Sequence, residues 1–245
     1  MAIPGEVFYL PPHADEPTGK GKRPHVLLNR CTPSTELATL GYGSTQPTDA
    51  AFGAEHVYVG SHDVAHRGSG LIRPTYVYTS RLVSALPERL RHPAGSLRIA
   101  LPAIRASLVR ALGLGMGVTR ESNVRGANRR GRVVALAEHA ATEWGTNHAL
   151  VVTNPEYSRY GYRQTLVPLL SGRFETFEPD VVLHDSAWLG PLSDLYSEAI
   201  LAVPSVATVY LPRDIDAFLD LVSPAQIMDQ VDRALVAYLE LEGFI

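Results

Sequence analysis

Apolar residues in this chain come in short runs set between polar stretches bearing Pro and Gly. That is the pattern of buried or half-buried strands, not of long helices. Strands are expected at 5–10 (GEVFYL), 39–45 (TLGYGST), 54–59 (AEHVYV) and 75–79 (TYVYT), which carry aromatic and β-branched residues, and at 26–29 (VLLN), a short apolar run. A helix is expected over 101–114, with Pro102 in its first turn and Gly113, Gly115 and Gly117 stopping it. Residues 119–132 (TRESNVRGANRRGR) are polar and basic and read as a linker. Strands then resume at 132–136 (RVVAL), at 147–154 (NHALVVTN) beyond an intervening loop, at 165–170 (TLVPLL), at 181–183 and within 199–211. A helix closes the chain over 223–239. Ser223 is its expected N-cap, Pro224 its first residue, and Ile227, Val231, Leu235 and Leu239 its apolar face.

The second series repeats the first. KRPHVLLNR aligns with TNHALVVTN at an offset of 124, ATLGYGST with QTLVPLLS at 126, and VRAL with DRAL at 123. Ordered segments at a nearly constant offset argue for an internal duplication. The expected organisation is one lobe over 1–118, a basic linker over 119–132 and a second lobe over 133–245. The 245 residues allow two domains of this size.

Charge separates the two copies. The net charge of −3 is made of 12 Lys/Arg against 8 Asp/Glu in 1–118, 5 Arg against 1 Glu in 119–132, and 5 Arg against 16 acids in 133–245. A basic first part suggests a polyanion such as nucleic acid as partner, and an acidic second part should repel it. Nucleic acid is therefore expected on the first lobe alone, with linker Arg125, Arg129, Arg130 and Arg132 as outer contacts. The single Cys31, the want of a signal pattern in MAIPGEVFYLPP and the absence of a membrane-length apolar run lead to an expected cytoplasmic location with no membrane partner.

Chemistry concentrates around KGKRPHVLLN at 20–29. Gly19 and Gly21 loosen the approach, Pro24 fixes entry to the strand, and Arg23 is left at the strand mouth. A guanidinium there suits bidentate phosphate binding. Lys20, Lys22, Arg67 and Arg73 are candidates to follow a phosphate backbone, and Tyr42, Tyr76 and Tyr78 to stack on bases. His13, His25, His56 and His62 are candidate bases, and the sequence does not choose among them. No metal-ligand spacing, P-loop or other cofactor motif is present, so no metal or cofactor is expected.

GEVFYL, GKRPHVLLN, GYGSTQ and LPAIRASLVRALGLG, followed by GRVVAL, TNHALVVTN, VPLLSG and SPAQIMDQVDRALVAYL, together resemble the MazF/PemK toxin family. The resemblance implies a mostly β fold with helices (α+β). It implies two tandem SH3-like small barrels packed as a pseudo-dimer, because family members act as homodimers with RNA across the dimer. It further implies a metal-independent endoribonuclease of toxin–antitoxin type acting on single-stranded RNA, with an antitoxin protein as partner. The family's key arginine falls on Arg23 and its key threonine on Ser44, followed by Thr45 and Gln46. Arg73 matches an arginine that some members use for RNA, while the acid near it in some members is Thr75 here. In the second copy the two key positions are Asn147 and Leu170, so that copy is expected to be catalytically empty. The alternatives are a non-catalytic protein of this fold that binds RNA or a protein partner, and a scaffold whose acidic lobe engages a basic partner.

Overall fold

The computed structural model describes residues 2–11, 21–31, 37–47, 55–114, 129–154, 163–172, 180–196, 198–210 and 213–245. Lys20, His13, Arg125 and linker residues 119–128 lie outside the described residues. The fold is mixed α+β, strand-rich, with two antiparallel sheets and few helices.

The first sheet is built from β1 (Glu6–Leu10), β2 (Arg23–Leu27), β3 (Ala38–Ser44), β4 (His56–Val59), β5 (Thr75–Ala85) and β6 (Gly95–Ser96), in the order β4-β5-β3-β2-β1-β6. Helix α1 (Leu101–Leu112) follows it, burying Ile104, Leu108 and Leu112. Gly113 ends this helix at φ 62°, where its N–H bonds Arg110 O. Only a residue without Cβ takes that left-handed turn at no steric cost.

The second sheet contains β7 (Arg132–Leu136), β8 (His148–Val151), β9 (Arg163–Ser171), β10 (Val181–Leu183), β11 (Ala199–Leu201), β12 (Ala207–Tyr210) and β13 (Ile215–Val222). Its order is β10-β11-β9-β8-β7-β13, with β12 also on β9. Helix α2 (Glu138–Trp144) lies between β7 and β8, and α3 (Ala225–Tyr238) ends the chain.

The two orders match strand for strand once β11 and β12 are taken together as the counterpart of β5. Register fixes the equivalence of residues. Val26 pairs with Gly41 in the first sheet as Leu150 pairs with Val167 in the second. Thr39 faces Ser84 as Thr165 faces Thr208. Ser84 thus corresponds to Thr208 and, two residues along, Leu82 to Val206. Between the sheets, Leu82 N donates to Thr208 Oγ1 at 2.9 Å, and Ser84 Oγ donates to Val206 O at 3.0 Å. Each position meets its neighbour's counterpart across the seam.

Several details differ from expectation. Residues 137–147 carry α2 instead of a plain loop, with Ala140 against Val134, Leu136 and Ile215. Strand β2 begins at Arg23, so that residue is inside the ladder and not ahead of it. Ser223 is not the cap of the last helix: α3 starts after extended Pro224 with no side-chain cap, and Ser223 N bonds Gly131 O instead. The end of the linker is no outer surface. Arg130 is buried and donates to Leu112 O, Val152 O and Asp232, while Arg129 lies 4.4 Å over the Phe218 ring. Arg132 opens β7.

Candidate functional site

Antiparallel register decides which side chains share a face, because directly opposed residues point the same way. His25 faces Tyr42 across β2 and β3, Tyr42 faces Tyr78 across β3 and β5, and Tyr78 faces His56 across β5 and β4. One step along, Ser44 faces Tyr76, and Tyr76 faces Tyr58. The β2–β3 register carried two residues further sets Arg23 opposite Ser44. Close approach at the intermediate step agrees with this: a Cβ built on Gly43 would lie 2.7 Å from Pro24 O. Two rows therefore cross four strands on one face, Arg23–Ser44–Tyr76–Tyr58 and His25–Tyr42–Tyr78–His56.

The rows differ in exposure. Arg23, Ser44 and Tyr76 are half-buried and Tyr58 is 51% exposed. In the inner row His25, Tyr42 and Tyr78 are buried and only His56, on the edge strand, is exposed. Ring contacts run within the rows, Tyr58–Tyr76 at 4.7 Å and His25 edge-on to Tyr42 at 5.4 Å, and between them, His56–Tyr76 at 5.2 Å. Such pairs add about 0.5–1.5 kcal/mol each beyond the area they bury, which favours a fixed aromatic platform.

The remaining sequence candidates divide into two groups. Ser44 Oγ accepts from Gln46 N at 3.2 Å, and Tyr78 Oη donates to Gln46 O at 2.8 Å, so the exposed Thr45–Gln46 turn is held against the platform. Lys22 is exposed one residue before β2, and Arg73 is exposed two residues before β5. Arg67 and His62 are exposed in the loop between β4 and β5. Thr75 is buried and donates to Arg73 O at 2.8 Å, a local turn bond with no acid–base capacity. His25 is wholly buried, with Nδ1 3.0 Å from Arg23 O, which corrects its reading as an accessible base. It supports the backbone at Arg23 instead.

The second half has lost this face. The counterpart of the outer row is Asn147, Leu170, Ile200 and Val182, by the same register. Beside it Tyr196 is buried with its hydroxyl 2.8 Å from His148 Nδ1, and Thr146 donates to Leu169 O. Burial lowers the His148 imidazole below its ordinary value and raises the Tyr196 phenol, so both stay neutral. Among the described residues of this row no side chain carries a positive charge.

A second polar cluster sits at the seam, and sequence reading did not find it. Residues 79–81 form a bulge in β5, between the Gly41–Leu82 and Tyr42–Tyr78 pairs. The bulge turns Arg81 back over the Tyr42 ring at 3.7 Å and within 5.6 Å of Tyr210. Arg163 lies 4.8 Å and Arg213 5.9 Å from the same Tyr210 ring. Asp214 accepts from Arg213, from Tyr210 N at 2.8 Å and from His139 Nε2 at 2.9 Å when that nitrogen carries its proton. Burial alone would raise the Asp214 carboxyl, but these bonds outweigh it and hold the group below the ordinary carboxylate value.

Cys31 is buried and its thiol is pushed up to about 11 by that burial, so it is no nucleophile. No helix among the described residues is long and apolar enough to cross a membrane, which leaves strand-built spans unaddressed. No protein-family model and no curated protein matches the chain at a significant level.

Proposed function

We propose that the chain is a metal-independent endoribonuclease for single-stranded RNA, with its active face on the first sheet and its second half standing where a partner subunit would. The observation that carries this reading is the outer row, in which an arginine, a hydroxyl and two tyrosines line up across four adjacent strands. Arg23 steadies charge on the phosphoryl oxygens, and Ser44 adds a hydrogen bond. Tyr76 and Tyr58 stack on neighbouring bases, which ties the reading to unpaired strands. The 2′-oxygen attacks phosphorus as the bond to the 5′-oxygen breaks. The 2′-proton leaves with a base and the 5′-oxygen gains one, giving a cyclic phosphate and a 5′-hydroxyl. The reciprocal contacts of 82 and 84 with 208 and 206 support the dimer-like packing, being the form of an isologous interface. Barrels of the MazF/PemK type are part of the same proposal.

RNA binding without cleavage is the second reading, and one observation favours it. Within the two rows the histidine nearest the Arg23–Ser44 pair, His25, is wholly buried, and the exposed His56 is two strands from Ser44. Induced expression followed by primer extension on total RNA separates the two. Cleavage with growth arrest by the wild type, and neither with Arg23→Ala, supports the nuclease. Intact RNA from both leaves the binding reading.

A further inference from the structure

Three guanidinium groups gather around Tyr210, and they come from both halves of the chain. Arg81 belongs to β5 of the first sheet, whereas Arg163 opens β9 and Arg213 follows β12 of the second. Only five arginines occur in the acidic residues 133–245, and two of them meet at this one ring. Asp214, the carboxylate of the cluster, is already engaged by Arg213, His139 and the Tyr210 N–H. Arg163 has no carboxylate within ion-pair distance among the described residues.

The cluster also continues the aromatic face. Tyr42 is an inner-row residue, and the Arg81 guanidinium covers its ring at 3.7 Å before reaching Tyr210 at 5.6 Å. Buried Tyr42 and Arg81 therefore lead from the inner row to the partly exposed Tyr210, Arg163 and Arg213. Alternation of ring and guanidinium is how sequence-tolerant single-strand sites hold base and backbone together.

We infer that Arg163 and Arg213 beside Tyr210, with buried Arg81 behind that ring, form a phosphodiester-binding subsite in which the second half holds the backbone of the same RNA strand that lies on the first. This rests on the proposed RNA-processing face and departs from the expectation, drawn from net charge, that only the first lobe meets RNA. Net charge is an average over a half. Arg163 acts locally, well inside the screening distance of about 8–10 Å at physiological salt.

The test uses the full chain and fluorescein-labelled oligouridylates of about 4 and about 12 nucleotides, lengths that bracket single-strand site sizes. Binding is measured from ~50 to ~200 mM salt for the wild type, Arg163→Ala, Arg163→Lys and Arg23→Ala. Arg163→Ala should weaken the longer strand about fivefold and flatten its log–log salt slope by about 0.7, the value for one single-strand phosphate. Its effect on the shorter strand should be smaller, and Arg163→Lys should keep the slope. Ultraviolet crosslinking should mark a peptide containing Tyr210. If Arg163→Ala binds the long strand as the wild type does while Arg23→Ala is weakened, the subsite is refuted and the active-face reading stands. If Arg23→Ala is unaffected and Arg163→Ala is weakened, the subsite stands and the active-face reading falls. If neither variant changes binding, both are refuted.

Discussion

Arg130 is 1% exposed at its side chain, and its charge acts inside the protein. Its guanidinium reaches Leu112 O at the end of α1, Val152 O just beyond β8, and Asp232 on α3, so one residue ties three elements from both halves. Burial lowers the guanidinium and raises the Asp232 carboxyl, and mutual attraction opposes both shifts. Desolvation thus dominates at this pair, the situation in which deleting one partner strands the other without water. Arg130→Ala should cost about 3–5 kcal/mol in urea unfolding. Arg130→Lys should recover only part of that, because one ammonium cannot copy the fork that serves three acceptors. A loss below about 1 kcal/mol, the ordinary worth of an exposed pair, would mean the contact is a surface one. Nothing in the sequence separates Arg130 from Arg125, Arg129 or Arg132. All four read as a solvated basic linker, because the carbonyls that select Arg130 are brought to it only by folding.

Gly43 leaves no room for a side chain between β3 and β2 beside the Arg23–Ser44 pair. A Cβ on Gly43 would lie 2.7 Å from Pro24 O and 2.9 Å from Pro24 Cγ. The first is a backbone atom, so relief requires the strands to part where Arg23 and Ser44 face each other. Gly43→Ala should therefore lower stability by about 1–3 kcal/mol, the range for overpacking, and reduce RNA cleavage more than thermal unfolding alone accounts for. An alanine variant with wild-type melting and wild-type activity would mean the strands do not approach as described. The strand position of Ser44 was legible in the run 39–45, and the repeat offsets of 124 and 126 match the observed registers, but Arg23 falls inside β2 and not at its mouth, because its pairing with Leu10 is set by folding. The rows of tyrosine were not legible as rows. Tyr42, Tyr76, Tyr78 and Tyr58 lie on three strands, and only register sets them on one face. Helix α2 was missed because seven residues between two strands carry too little period to outweigh a loop reading.

At the scale of the whole molecule, the two sheets repeat one strand order while their outer rows have diverged from Arg23–Ser44–Tyr76–Tyr58 to Asn147–Leu170–Ile200–Val182. The repeated strand order was readable because short apolar runs recur in the same sequence at a nearly constant offset. The seam was not, because Leu82 meets Thr208 across 126 residues of chain and no local period announces such a pair. Arg81 and Tyr210 were passed over for the same reason. The first half carries an arginine, a hydroxyl and two tyrosines in this row where the second carries an amide and three aliphatic side chains. The central claim is that the first half alone cuts RNA, without a metal. Purified wild type and Arg23→Ala, incubated with a defined single-stranded RNA in excess EDTA and analysed for product ends, test it most directly. The account predicts fragments with cyclic phosphate and 5′-hydroxyl termini from the wild type. With Arg23→Ala it predicts a loss of about 10²–10³-fold, the measured scale for removing one donor to a developing oxyanion. Equal cleavage by the two proteins, or none from the wild type, would contradict it.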